Sequence, residues 1–193
     1  RERRLVLESA SNKIEELSRL LESEDSASLK HTLIYCTDKN PQQMLDVNKL
    51  LDKQKISYRK ITDEESSDPK LTKMIINEFK SEEIKILTAK RVLDEGVNIP
   101  QISMAYILAS TTVERQWVQR RGRLLRRSTA TNKTISIIHD FIVLPPSSAD
   151  SNSDSLIKSE LLRVEQFASL AANANHKGGP ISLIHELRKR LFF

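Results

Sequence analysis

Five short apolar runs punctuate the first two thirds of the chain, and helix-patterned segments separate most of them. The runs are Thr32 to Cys36, Ser57 to Ile61, Ile84 to Leu87, Met104 to Ala109 and Thr134 to His139. Ile14, Leu17, Leu20 and Leu21 lie on one helical face before the first run. Met44, Val47, Leu50 and Leu51 do so before the second, and Leu71, Met74, Ile75 and Phe79 before the third. Asp68-Pro69 reads as an N-cap followed by proline at the first helical position. Strands alternating with helices predict an α/β fold, a mostly parallel sheet with helices on both faces.

Beyond that region the pattern changes. Pro145 to Ser155 is rich in Pro, Ser and Asp and reads as a linker. Ile157, Leu161, Val164, Ala168 and Ala171 then keep helical spacing. Gly178-Gly179 ends that stretch, and Leu183, Ile184, Leu187 and Leu191 start another. The expected division is a domain over 1–145, a linker over 146–155 and a helical extension over 156–193.

The net charge of +5 is unevenly spread. Six arginines and one lysine, with no acid, lie between Arg115 and Lys133, whereas Asp63 to Asp68 holds four acids and no base. A local basic excess suits contact with nucleic acid or another polyanion. Cys36, the single cysteine, sits in an apolar run and reads as a small buried hydrophobe. No secretory segment or membrane-spanning run is evident, so a cytoplasmic location is expected. The chain opens Arg-Glu-Arg-Arg without Met, which suggests part of a longer protein.

Hydroxyl residues recur after the expected strands: Thr37, Thr62, Thr88 and Ser110-Thr111. Open parallel sheets bind ligands at the carboxyl ends of their strands. A row of hydroxyls there would suit backbone phosphates; equally, Thr and Ser favour strand ends and turns.

In a helix, Gln119, Arg123 and Arg126 stand at i, i+4 and i+7 and project from one face. Guanidinium groups carry fixed charge in a fork that matches phosphate oxygens. Two on one edge suit a phosphoryl group gaining charge during transfer. Spacing alone allows a second reading, a solvated basic helix holding nucleic acid without sequence preference. Gly122 amid them permits close approach of a backbone or ligand. Upstream, Leu93-Asp94-Glu95-Gly96-Val97-Asn98-Ile99-Pro100 places polar groups in a glycine turn. By itself it is equally an ordinary turn.

Taken in order, these segments resemble the second, C-terminal RecA-like domain of superfamily 2 helicases of DEAD/DEAH type, on the XPB-like and restriction-subunit branch. Gln119 to Arg126 is similar to motif VI, Gln-x-x-Gly-Arg-x-x-Arg. Leu87-Thr88 to Pro100 resembles motif V, and Thr32 to Asn40 motif IV. Ala10-Ser11-Asn12-Lys13 and Ile138-His139-Asp140-Phe141 fit the same branch.

The resemblance implies a three-layer RecA-like domain and a share in ATP-driven work on DNA or RNA. Arg123 and Arg126 would be catalytic arginine fingers, with Gln119, Gly96 and Asn98 at the ATP. Many relatives carry Asp at the Asn98 position, so a charge is missing here. Thr37, Thr62 and Thr88 would touch the nucleic-acid backbone. ATP and Mg would be held mainly by an upstream RecA-like domain of the same polypeptide, with no metal ligand expected in this chain. DNA is favoured over RNA as partner, and no membrane is expected. None of the four glycines opens a Gly-x-x-x-x-Gly-Lys-Ser/Thr loop, so these 193 residues alone are expected not to hydrolyse ATP. Two other outcomes stay open: a binding module that has lost catalysis, and a scaffold whose arginines meet an acidic protein.

Overall fold

The structure, a computed structural model, describes residues 10, 12–90, 99, 101–109, 122, 124–128, 132–144 and 154–192. Two compact units divide at Phe141 and Ile142.

The first unit is built on a five-stranded sheet. Its strands are β1 (Thr32–Tyr35), β2 (Tyr58–Ile61), β3 (Ile86–Ala89), β4 (Met104–Ile107) and β5 (Ile137–Asp140). They lie in the order β2-β3-β1-β4-β5, and every pairing is parallel. Four helices accompany them: α1 (Asn12–Ser23), α2 (Pro41–Lys53), α3 (Asp63–Ser67) and α4 (Pro69–Lys80).

Strand order explains where the helices sit. From β1 to β2 the chain moves one way along the sheet, and from β2 to β3 it moves back. Parallel crossovers are right-handed, so a reversal transfers the connecting helix to the opposite face. Accordingly Met44, Val47 and Leu51 of α2 pack with Ile34, Ile86 and Tyr106. Ile75 and Phe79 of α4 pack with Leu33, Leu87 and Ile107 on the other face. Neighbouring strand residues thus serve opposite layers, and β1, β3 and β4 are buried throughout. Leu17 and Leu21 of α1 join the α2 layer. The fold is the α/β architecture expected from the alternation, and it is the RecA-like arrangement that the resemblance implies.

Several boundaries differ from the sequence reading. β3 begins two residues late because Ile86 is the residue that pairs with Thr32 and Tyr58. The backbone of Ile84 is still turning, its N–H donating to the Glu78 carbonyl at 3.3 Å. Thr88 therefore lies inside β3, not after it. Met74 faces outward, 46% exposed, because Leu71, Ile75 and Phe79 already fill the α4 stripe. The acidic Asp63 to Ser67 stretch forms the short α3.

At the β2 edge, Arg59 and Lys60 are exposed and pair with Glu78 at 2.8 Å and Glu65 at 3.0 Å. Charge on an edge strand discourages pairing with another chain. Cys36 is fully buried, as expected, and burial pushes its thiol up to about 12.

In the second unit, α5 (Asp154–Ala168) and α6 (Pro180–Phe192) share a small apolar contact of Val164, Ala168, Ile184, Ile142 and Ile181. Arg188 Nη1 and Nη2 meet both oxygens of Glu165, at 2.9 and 2.5 Å. Gly179 is required between the helices: a Cβ there would press on the Asn173 carbonyl and stand 2.8 Å from the His176 carbonyl.

Candidate functional site

The carboxyl edge of the sheet is level. Ile61, Ala89, Tyr35, Ile107 and Asp140 end their strands in one row. Pairing runs one residue further: Cys36 N–H donates to the Ala89 carbonyl at 2.8 Å, and Leu108 N–H to the Tyr35 carbonyl at 3.0 Å. Connections leave β1 towards β2 and β4 towards β5, so the edge opens between β1 and β4, where open α/β sheets bind ligands.

The three threonines occupy different levels. Thr88 pairs with Ile34, three residues below Thr37 along the sheet, or about 10 Å at strand rise. It is fully buried, and its hydroxyl donates to Asn48 Oδ1 of α2 at 3.0 Å. Thr62 caps α3. The Glu65 carboxylate accepts both its N–H, at 2.8 Å, and its hydroxyl, at 2.5 Å. Burial would raise the Glu65 carboxyl, but hydrogen bonds from Thr62 and Lys60 outweigh it and hold the group below its usual range. A hydroxyl donating to an anion has no proton left for a phosphate.

Thr37 lies highest, in the turn from β1 to α2. Its N–H donates to the buried Gln43 Oε1 at 2.8 Å, and its Oγ1 accepts the Lys39 N–H at 3.2 Å. Asn40 accepts the Gln42 N–H at 3.1 Å, and Pro41 takes the first helical position. The turn is therefore held from both sides, by the Gln43 side chain at Thr37 and by the Asn40 cap at the start of α2.

Among the arginine-segment residues, Gly122 and Leu124 are helical. Leu124 is 2% exposed and joins the core with Leu33, Leu87 and Ile107. Its carbonyl accepts Lys133 Nζ at 2.6 Å and Ser136 Oγ at 2.8 Å. A lysine at a helix C-terminus satisfies an orphan carbonyl and opposes the dipole. Ser128 and Lys133 add an antiparallel bridge. Two residues past this anchor, Arg126 is exposed. Gln119, Arg123, Gly96 and Asn98 lie outside the described residues.

A methyl group at Gly122 would meet nothing within 4 Å, and its φ lies outside the left-handed range. Among the described residues, no close internal contact calls for glycine. Gly122→Ala should therefore leave the fold intact and raise stability by up to about 1 kcal/mol in denaturant titration. A loss of stability would reveal an internal neighbour.

Lys13 enters the sequence reading only as the end of Ala10-Ser11-Asn12-Lys13, with no role assigned, and a lysine at a helix start ordinarily reads as solvated. It is 7% exposed, and its Nζ donates to the Leu108 carbonyl at 2.5 Å. Among the described residues, no group of three or more His, Cys, Asp or Glu side chains gathers to hold a metal. No described helix is long and apolar enough to cross a membrane.

A family model for the helicase conserved C-terminal domain matches residues 12–128. A "DNA 3'-5' translocase XPB2" of Sulfurisphaera tokodaii is 33% identical over 64 residues, which cover 33% of this chain and 15% of that protein. The chain thus matches about 15% of the relative's length. The C-terminal domain of the DEAD-box protein Dbp5 superposes with a TM-score of 0.58 at 16% identity, covering 85% of this chain and 83% of that one. The Pyrococcus furiosus Hef helicase domain gives 0.51 at 17%, covering 75% of this chain and 28% of the other.

Proposed function

We propose, for a chain that belongs to the helicase conserved C-terminal domain family of superfamily 2, that it forms half of an ATP-driven motor acting on nucleic acid. Residues 1–145 would be the second RecA-like domain, 146–155 a linker and 156–193 a helical extension. An upstream RecA-like domain of the same polypeptide would supply the P-loop and the residues for Mg. ATP would lie between the two.

The observation that carries this reading is the seating of Arg126. Leu124 is sunk in the core and capped by Lys133 and Ser136, while Arg126 stands exposed just beyond. A fixed cation on a fixed backbone suits charge that develops on a phosphoryl group. We assign Arg123 and Arg126 as arginine fingers, with Gln119, Gly96 and Asn98 at the nucleotide.

Thr37, beside the start of α2, is our candidate contact to the nucleic-acid backbone. Thr62, at the start of α3, and Thr88, one residue inside the edge in β3, would shape the same rim from lower levels. Such a grip is sequence-independent and salt-sensitive. DNA is the favoured partner, in keeping with the translocase relative. ATP binding would close the cleft and hydrolysis reopen it, shifting the rim along the strand.

The test is ATP hydrolysis by the full-length protein with no nucleic acid, with DNA and with RNA. DNA should stimulate turnover most, and the stimulation should fall between about 50 and 200 mM salt. Residues 1–193 alone should be inactive. No stimulation by either polymer would sink the motor reading and leave a binding module.

A further inference from the structure

Exposure changes abruptly along the stretch from Leu124 to Ser128. Leu124 is 2% exposed and Ser128 5%, whereas Leu125, Arg126 and Arg127 between them are exposed. Arg126 is thus the middle residue of a short arch with two buried feet. One residue holds both feet. Lys133 Nζ donates to the Leu124 carbonyl at 2.6 Å. The Lys133 N–H donates to the Ser128 carbonyl at 2.9 Å, and the Lys133 carbonyl accepts the Ser128 N–H at 3.4 Å. The attachments fall two residues before Arg126 and two residues after it.

The backbone half of this bracket is open to most residue types, but the side-chain half needs a long stem that ends in a donor. Lys133 is 8% exposed, and burial pulls its ammonium below the usual lysine value. An ammonium buried to this degree depends on its hydrogen bonds, which leaves the side chain little freedom away from its acceptor. The bracket is also fixed to the sheet. Ser136 Oγ reaches the same Leu124 carbonyl at 2.8 Å, and the next residue, Ile137, opens β5 with its N–H on the Ser103 carbonyl at 2.8 Å.

We propose that Lys133 is a positioning residue for Arg126: holding Leu124 through its side chain and Ser128 through its backbone, it sets where the arch presents the guanidinium. The inference rests on the motor reading, in which Arg126 is an arginine finger. Misplacing a catalytic group by about 1 Å costs on the order of a hundredfold in rate. Releasing the Leu124 foot should thus lower turnover and leave ATP affinity largely in place.

The experiment uses full-length protein with a stimulating nucleic acid, comparing wild type, Lys133→Met, Ser136→Ala, Arg126→Ala and the Lys133→Met/Arg126→Ala pair. Lys133→Met keeps a long stem, the backbone bridge and the Ser136 donor to Leu124. It should lower kcat between about tenfold and a hundredfold with KM for ATP changed less than about threefold. Ser136→Ala, which leaves the ammonium on the carbonyl, should lose less than Lys133→Met. In the Arg126→Ala background, Lys133→Met should cost less than about threefold, because no guanidinium is left to position. Should Lys133→Met fail to fold, Lys133→Gln takes its place with the same expectations. Unchanged kcat in a folded Met or Gln variant overturns the inference. So does a KM that rises in step with the fall in kcat, or a loss that multiplies with that of Arg126→Ala. Ser136→Ala as slow as Lys133→Met would move the role to Ser136 and overturn it too. If Arg126→Ala matches wild type, the arginine-finger reading fails and this inference with it. If Arg126→Ala is slow and the Lys133 variants are fast, only the inference fails.

Discussion

Arg126→Ala in the full-length protein should lower nucleic-acid-stimulated ATP turnover at least about a hundredfold while ATP still binds. The reason lies in where charge changes. An arginine that meets phosphate mainly as charge builds stabilises the transition state more than the bound substrate, so kcat falls and affinity holds. Local structure makes the effect a test of chemistry rather than of folding. Arg126 is exposed, whereas the core side chain nearby is Leu124. Removing the guanidinium should leave the unfolding midpoint close to wild type. Arg126→Lys should recover only part of the rate, since an ammonium lacks the planar fork. A steady-state assay with a parallel nucleotide-binding titration decides the matter. Wild-type turnover in the alanine variant would reassign the basic segment as a binding surface.

The second large effect is on stability. Leu124→Ala should cost about 2–5 kcal/mol, the range for truncating a buried leucine. Leu124 is 2% exposed and shares a core cluster with side chains of the central strand β1 and of both its neighbours, β3 and β4. Leu125, its neighbour, is 49% exposed. Leu125→Ala should stay within about 0.5 kcal/mol. Denaturant titration of the pair measures the difference. Equal costs would mean that the segment is not anchored through Leu124. Because Leu124 also holds the backbone beneath Arg126, the surviving folded fraction of Leu124→Ala should turn over ATP more slowly than wild type.

How much of this was legible in the chain depends on which interaction decides each feature. Apolar spacing reports local burial, so Leu17, Val47, Leu51 and Phe79 read correctly as core. Capping chemistry is equally local. The Asp68-Pro69 pair reads as a helix start, and Asp68 Oδ1 does accept the N–H groups of Lys70 and Leu71, at 2.8 and 3.2 Å. Strand ends are different, because partners far along the chain set them. Thr88 reads as a strand-end hydroxyl until Ile86 is seen opposite Thr32. Met74 has helical spacing but stands off the buried α4 stripe, 46% exposed. Lys13 is the sharpest case: nothing local distinguishes it from a solvated lysine, and its partner lies 95 residues away. For the candidate site, the order of motifs is a sequence property, whereas the seating of Arg126 on Leu124, Lys133 and Ser136 is a tertiary one.

The strand order carries a cost during synthesis. The centre of the sheet is made first, and both of its neighbours are made later: Thr32 pairs with Ile86 on one side and Met104 on the other. A ribosome releasing this chain from its amino end exposes an apolar strand, Thr-Leu-Ile-Tyr, with neither edge paired until β3 and then β4 emerge. Such non-local pairing folds slowly, and an open apolar edge invites foreign strands in the interval. The charged β2 arrives before either true neighbour, yet it takes the outside place and leaves that edge open for β3. Nascent chains of this domain thus pass through a stage in which the strand at the centre of the sheet is their most vulnerable one.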